Sequence, residues 1–180
     1  MKISSLKLKA IILYFCSNTN PIFLGKVKLM KLFYFLDFMH VKNYGTPVTY
    51  DCYVNLEHGP IPSSIKNLVD SVEDDIDSAI LGDTITIKSS DNLNIHRVAP
   101  LRKFTESDEK YLSENELSIL KKVCLRFGNS NTKEIEEASH KEAPWTETKM
   151  FNPIPYSLAA KDSDCLVDEE TIKLLTETEF

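Results

Sequence analysis

The residues of this chain whose types and spacing could do chemistry fall in three places. His58-Gly59-Pro60 forms a rigid corner, in which Pro60 biases Gly59 toward an extended conformation. The imidazole beside it either presents itself to a partner or small ligand, or bonds nearby backbone and fixes the turn. His140 and Trp145 flank Pro144, and Trp145 is the only tryptophan. A lone tryptophan anchors a core or serves as an interface hot spot. Lys28, Lys31, Phe35, Phe38 and Lys42 recur at spacings of 3, 4, 3 and 4, which puts them on one helical stripe. Exposed, the stripe is a basic-aromatic ridge able to dock an acidic or amphipathic partner. At the edge of a buried helix, the lysine stems instead lie over core aromatics with their ammonium groups at the rim.

Other chemistries lack their residues. His140-Lys141-Glu142 has the H-x-E lettering of a zinc deaminase, but no P-C-x-x-C follows. There is no H-E-x-x-H, G-x-S-x-G or glycine-rich phosphate loop. Ser139 and His140 are helix neighbours and point in different directions. Cys16, Cys52, Cys124 and Cys165 include no C-x-x-C pair, which argues against zinc, and without a secretion signal they are expected to be reduced thiols in a cytoplasm. Cys16 and Cys52 lie in apolar patterns, where a free thiol acts as a small hydrophobe. The acids Glu73, Asp74, Asp75 and Asp77 lack the bidentate glutamate of a calcium loop and read as a solvated stretch. No catalytic residue, cofactor or metal is expected.

The elements that must position these residues follow from periodicity and breakers. A first helix is expected over about Ser4 to Cys16, closed by Pro21; its apolar run from Ala10 to Cys16 is barely long enough for a signal peptide, and Asn18, Asn20 and Pro21 follow in place of a small-x-small cleavage site. A second covers about Leu24 to Tyr44 and stops at Gly45. Being apolar nearly all round, it should be the buried central helix. Val48 to Leu56 reads as a half-buried strand, with Cys52, Val54 and Leu56 alternating against Asp51, Tyr53 and Asn55. Pro62 suits the first turn of a helix whose buried face is Ile65, Leu68, Val69 and Val72. Thr84 to Lys88 and Leu93 to Val98 alternate around Ser89, Ser90, Asp91 and Asn92, a β-hairpin. Ser113 with Glu116, and Asn131 with Glu134, are capping boxes that open helices running to Phe127 and to about His140, the latter ended by Pro144. Pro153 and Pro155 imply a loop, and Asp168 to Leu175 a last short helix. The fold class is therefore α+β: a helix-rich single domain with a buried central helix and a small antiparallel sheet or hairpin. Residues 1–150 form the domain, and 151–180 are a C-terminal extension packed on it.

Three pieces together resemble the Panacea domain, the SocA-like antitoxin domain of phage-associated GepA-type proteins. Lys28-Leu29-Met30-Lys31-Leu32-Phe33-Tyr34-Phe35 is similar to the family's KLxKLLYF pattern. The Gly45-x-Pro47 turn leads through a strand to His58-Gly59-Pro60. Ser139-His140 with Pro144-Trp145 resembles the SHxxxPW ending of a short helix. The resemblance covers about residues 5–150. It implies a bacterial or phage protein, often encoded beside a toxin gene, that neutralises the toxin by direct binding or hands it to a protease. Family members sometimes carry DNA-binding or zinc modules in front, and this chain begins almost at once with the domain.

The expected function is a non-enzymatic cytoplasmic antitoxin. Its partners would be a cognate toxin protein and, as a second route, a protease. The expected partner-binding residues are Lys31, Phe35, His58, Gly59, Pro60, His140 and Trp145, with the two distant motifs meeting at one surface pocket. One rival is a small-ligand or enzymatic domain using the His58, His140 and Trp145 neighbourhood. The other is a DNA-binding autoregulator. It ranks lowest, because the net charge is −6 and the only arginines are Arg97, Arg102 and Arg126. The first 50 residues carry seven lysines against one acid, Asp37, so the front is basic and the remainder acidic. No apolar run is long enough for a membrane span.

Overall fold

The central helix fixes the architecture. The computed structural model describes residues 2–90 and 95–177. Helix α2 (Lys26–Tyr44) is buried over nearly its whole length, as its apolar circumference requires. It ends at Gly45, whose φ of +80° suits glycine, and the Gly45 amide bonds the Val41 carbonyl. Helix α1 (Ser5–Asn18) lies against it, with Phe15 edge-on to Phe33. Helix α5 (Glu114–Phe127) packs on another side through Phe35 and Phe127, whose rings lie 4.3 Å apart. Each large apolar side chain buried here contributes about 1.5–3 kcal/mol.

Two short antiparallel pairs accompany the helices. Strand β1 (Tyr53–Val54) pairs with β2 (Ile61–Pro62) across the His58-Gly59-Pro60 corner. Helix α3 (Ser63–Asp74) follows at once, burying Ile65, Val69 and Val72. Strands β3 (Ile85–Ser90) and β4 (Ile95–Pro100) form the expected hairpin, with Ile85 opposite Pro100, but Ser89 and Ser90, expected in the turn, extend β3 and pair with His96 and Ile95. Its turn residues Asp91 and Asn92 lie outside the described residues. A single turn, α4 (Glu106–Glu109), escaped the sequence reading. Both capping boxes are present. Ser113 and Glu116 exchange bonds of 2.8 and 3.2 Å at the start of α5. Asn131 and Glu134 do so at 2.7 and 3.0 Å where α6 (Thr132–Ser139) begins. Pro144 does not end α6, which closes at His140; it sits instead in the first turn of α7 (Ala143–Thr146), where a missing N–H is harmless. The stretch after residue 150 contains a 3-10 helix (Tyr156–Lys161) and α8 (Glu169–Glu177). It is tied to α2 where the Leu166 amide bonds the Lys42 carbonyl.

One expected face is reversed. Along 51–55 it is Asp51, Tyr53 and Asn55 that are buried, while Cys52 is exposed and is not a core hydrophobe. The polar side chains point inward because hydrogen-bond partners await them there. Asp51 accepts from the amides of Ser64 and Ile65 and so caps α3. Tyr53 donates to the Asp37 carboxylate at 2.8 Å.

Candidate functional site

The lysine stripe is internal. Lys28, Lys31, Phe35, Phe38 and Lys42 are all buried, which corrects the expectation of an exposed ridge. Each ammonium group ends on a specific acceptor. Lys28 Nζ donates to the carbonyls of Gly128 (2.9 Å) and Ser130 (2.7 Å), just past the C-terminus of α5, where a cation suits the helix dipole. Lys31 Nζ donates to the Pro60 carbonyl at 2.9 Å. Lys42 Nζ meets Glu142 at 3.1 Å, Asp162 at 2.9 Å and Asp164 at 3.0 Å. Glu142 also accepts from the Tyr34 hydroxyl at 3.0 Å. Phe35 lies under the Arg126 guanidinium and against Phe127. Lys31 and Phe35 therefore present no surface to a partner, and burial pushes the Lys31 amine down to about 7 despite the nearby Glu136.

Two motifs more than 70 residues apart do come together. His58 is the exposed tip of the corner, and its Nδ1 lies 3.2 Å from a Glu136 carboxylate oxygen on α6. Gly59 is not extended, as the following proline implied, but has φ +87°, which glycine adopts without strain. Its Cα faces Lys31 Nζ, Ser139 Oγ and His140 Nε2. His140 stacks on Trp145 with ring centroids 4.0 Å apart and planes 17° apart. The Trp145 indole N–H donates to the Leu56 carbonyl at 3.3 Å, and the Asn55 amide bonds the Trp145 carbonyl at 3.2 Å. Segments 55–60 and 136–145 thus form one continuous face, with Lys31 bracing it from beneath.

That junction is packed at its centre and leaves no pocket beneath Gly59. A Cβ on Gly59 would stand 2.7 Å from both Lys31 Nζ and Ser139 Oγ and 3.1 Å from His140 Nε2. Burial lowers the His140 pKa, and the Lys31 and His58 charges lower it further against the pull of Glu136. Its Nε2 has no hydrogen-bond partner among the described residues. A neutral imidazole stacked on an indole is an apolar-polar platform rather than an acid or base poised beside a nucleophile. Among the described residues, no group of three or more His, Cys, Asp or Glu side chains could hold a metal, and no helix is long and apolar enough to cross a membrane.

Gly59→Ala places a methyl against an anchored lysine and holds a non-glycine residue at positive φ. The melting temperature is expected to fall by about 5–10 °C, since roughly 2–3 kcal/mol of strain acts on a domain of this size. A melt within 2 °C of wild type would mean that the corner yields freely.

Sequence reasoning missed Asn55 and Glu136. Glu136 stands one helical turn before His140, a spacing that is readable in retrospect. Asn55 gave no signal, because alternation placed it outside.

A model of the family described as antitoxin SocA-like, Panacea domain, matches residues 29–146, a stretch that begins in α2 and ends one residue after Trp145. Comparison with curated proteins and with solved structures finds no match.

Proposed function

The chain belongs to the SocA-like Panacea antitoxin family, and from that premise we propose that it neutralises a cognate toxin protein by binding it across the face formed by His58, Gly59, Pro60, His140 and Trp145. The observation that carries this reading is the convergence of the His58-Gly59-Pro60 corner with the His140–Trp145 stack, both inside the family-matched stretch. Such a face offers an exposed imidazole and the half-buried indole of the single tryptophan, while Gly59 and Pro60, expected to touch the partner, are themselves buried and hold the corner rigid from behind. These are the features of a protein-binding surface: aromatic anchors held in place before contact. Lys31 and Phe35 belong to this site as supports, one bonding the Pro60 carbonyl and the other filling the core behind it. Neutralisation proceeds by occlusion of the toxin's working surface, in the cytoplasm. Delivery of the bound toxin to a protease is the second route.

The test uses the product of the adjacent gene as the toxin. His58→Glu changes an exposed side chain and is expected to leave the melting temperature within about 2 °C while weakening the complex at least ~10-fold. Co-expression should then fail to restore growth. Toxin that binds the variant and wild type equally well would remove this face from the interface. A toxin whose half-life shortens only when antitoxin and protease are both present would favour delivery over occlusion.

A further inference from the structure

Phe151 combines two features that conflict within the isolated chain. Its φ is +65°, in the left-handed region that bulky residues rarely enter. Its side chain is 76 % exposed, so the ring gains little burial in return.

The backbone explains the conformation. Residues 151–154 run beside β1 on the edge opposite β2. The Ile154 amide bonds the Tyr53 carbonyl at 2.8 Å, and Val54 bridges Pro153. Asn55 then faces two residues: its carbonyl accepts from the Phe151 amide at 2.8 Å, and its amide donates to the Asn152 carbonyl at 3.0 Å. This is the bonding of a β-bulge whose first residue is left-handed, a position where glycine is usual. The bulge turns the Phe151 side chain outward next to Asn55, whose side-chain amide bonds the Trp145 and Thr148 carbonyls. Met150, 43 % exposed, stands beside it.

We propose that Phe151 is the anchor of the toxin-binding surface, an aromatic knob that inserts into an apolar cleft of the toxin and sets which toxin is recognised. This rests on the toxin-binding reading and deepens it. The family-matched stretch ends at residue 146, so the knob stands outside the part of the chain that carries the family pattern, yet its backbone is bonded to Asn55, three residues before His58 and itself bonded to the Trp145 carbonyl. A strained, exposed aromatic where glycine would relax the backbone is a site prepared for contact. The occupant is a cleft on another protein and not a second copy of this chain. Phe151 and Met150 are only two exposed apolar side chains, far short of the surface a stable symmetric dimer must bury, but enough for one anchor inside a larger interface.

Three variants test it in the full chain with the toxin from the adjacent gene. Phe151→Gly removes ring and strain. It is expected to raise the melting temperature of the free chain by about 2–4 °C and to weaken the complex by roughly 30-fold or more. Phe151→Ala removes only the ring, leaving the melting temperature near wild type and weakening the complex equally. Phe151→Tyr keeps the ring and should bind within about 3-fold of wild type. Unchanged affinity of Phe151→Ala, alongside loss of binding by His58→Glu, would overturn the anchor while keeping the antitoxin face. Failure of wild type to bind the toxin would instead remove the functional reading itself. Self-association of wild type that Phe151→Ala abolishes would assign the knob to a second copy and overturn the proposal, as would a melting temperature lowered by Phe151→Gly.

Discussion

Lys42→Met is expected to destabilise the protein by about 3–5 kcal/mol, lowering the melting temperature by roughly 6–15 °C. Lys42 is 2 % exposed and lies among Glu142, Asp162 and Asp164. Methionine fills the space but leaves the Glu142 carboxylate buried beside Asp162 with only the Tyr34 hydroxyl to answer it. Removing one partner of a buried pair costs far more than the pair contributes, because the remaining charge stays desolvated. Asp164 is the control: it is mostly exposed, and Asp164→Asn should change stability by less than ~1 kcal/mol. The pH dependence has a definite sign. Burial raises the Glu142 pKa and Lys42 lowers it, so the variant loses the lowering partner and the carboxyl titrates higher still. A group whose folded pKa lies above its unfolded value favours folding as it takes up its proton. The variant therefore recovers part of its loss as pH falls from 7 toward 5. Thermal melts of both proteins across that range measure this, and a gap that widens on acidification would contradict it.

Asp37→Ala should be of similar size, about 3–5 kcal/mol, with the opposite pH trend. Asp37 is fully buried and accepts from the amides of Val48 and Thr49, each at 2.8 Å, from the Thr49 hydroxyl and from Tyr53. Alanine strands these donors, and each one left unsatisfied costs about 1–3 kcal/mol before water or relaxation recovers some of it. Asp37→Asn should cost less, since the amide oxygen can keep the two backbone bonds while the hydroxyls rotate to accept from the new NH2. Burial pushes the Asp37 carboxyl up to about 6, against the downward pull of those donors. Its folded pKa thus exceeds its unfolded value. The associated stabilisation is fully present below about pH 4 and is lost as pH rises through 6. The gap between wild type and Asp37→Ala should widen by about 1 kcal/mol between pH 7 and pH 5. A gap that stays constant across the range would place the Asp37 pKa at its unfolded value.

What the sequence made legible was whatever is local. The all-round apolar pattern of α2, its stop at Gly45 and the two capping boxes depend on neighbours within four residues, and they appear where the spacing placed them. The hairpin of β3 and β4 is present too, although Ser89 and Ser90, read as turn residues, continue the strand. What stayed hidden were pairings between distant polar groups. Alternation assigns polar residues to solvent, so it turned Asp51 and Asn55 outward, although each is bonded to a segment it cannot reveal. The same blindness made Lys28, Lys31 and Lys42 look like a docking ridge. The two halves of the proposed site were visible only as recurring motifs, and the resemblance suggested that they meet. Phe151 gave no signal, because a left-handed aromatic follows from the bulge opposite Asn55 and from nothing in its own surroundings.

The burial of Lys42 also has a consequence in time. During synthesis its residue leaves the ribosome 100 positions ahead of Glu142, a delay of about 5–20 s at 5–20 residues per second. Asp162 and Asp164 emerge later still. Over that interval an ammonium group sits on the helix destined for the centre of the protein, with none of these carboxylates to receive it. Helix α2 must keep that end hydrated until residues 142–164 have emerged, so the core, and with it the support beneath the proposed binding face, is completed only after that segment has been made.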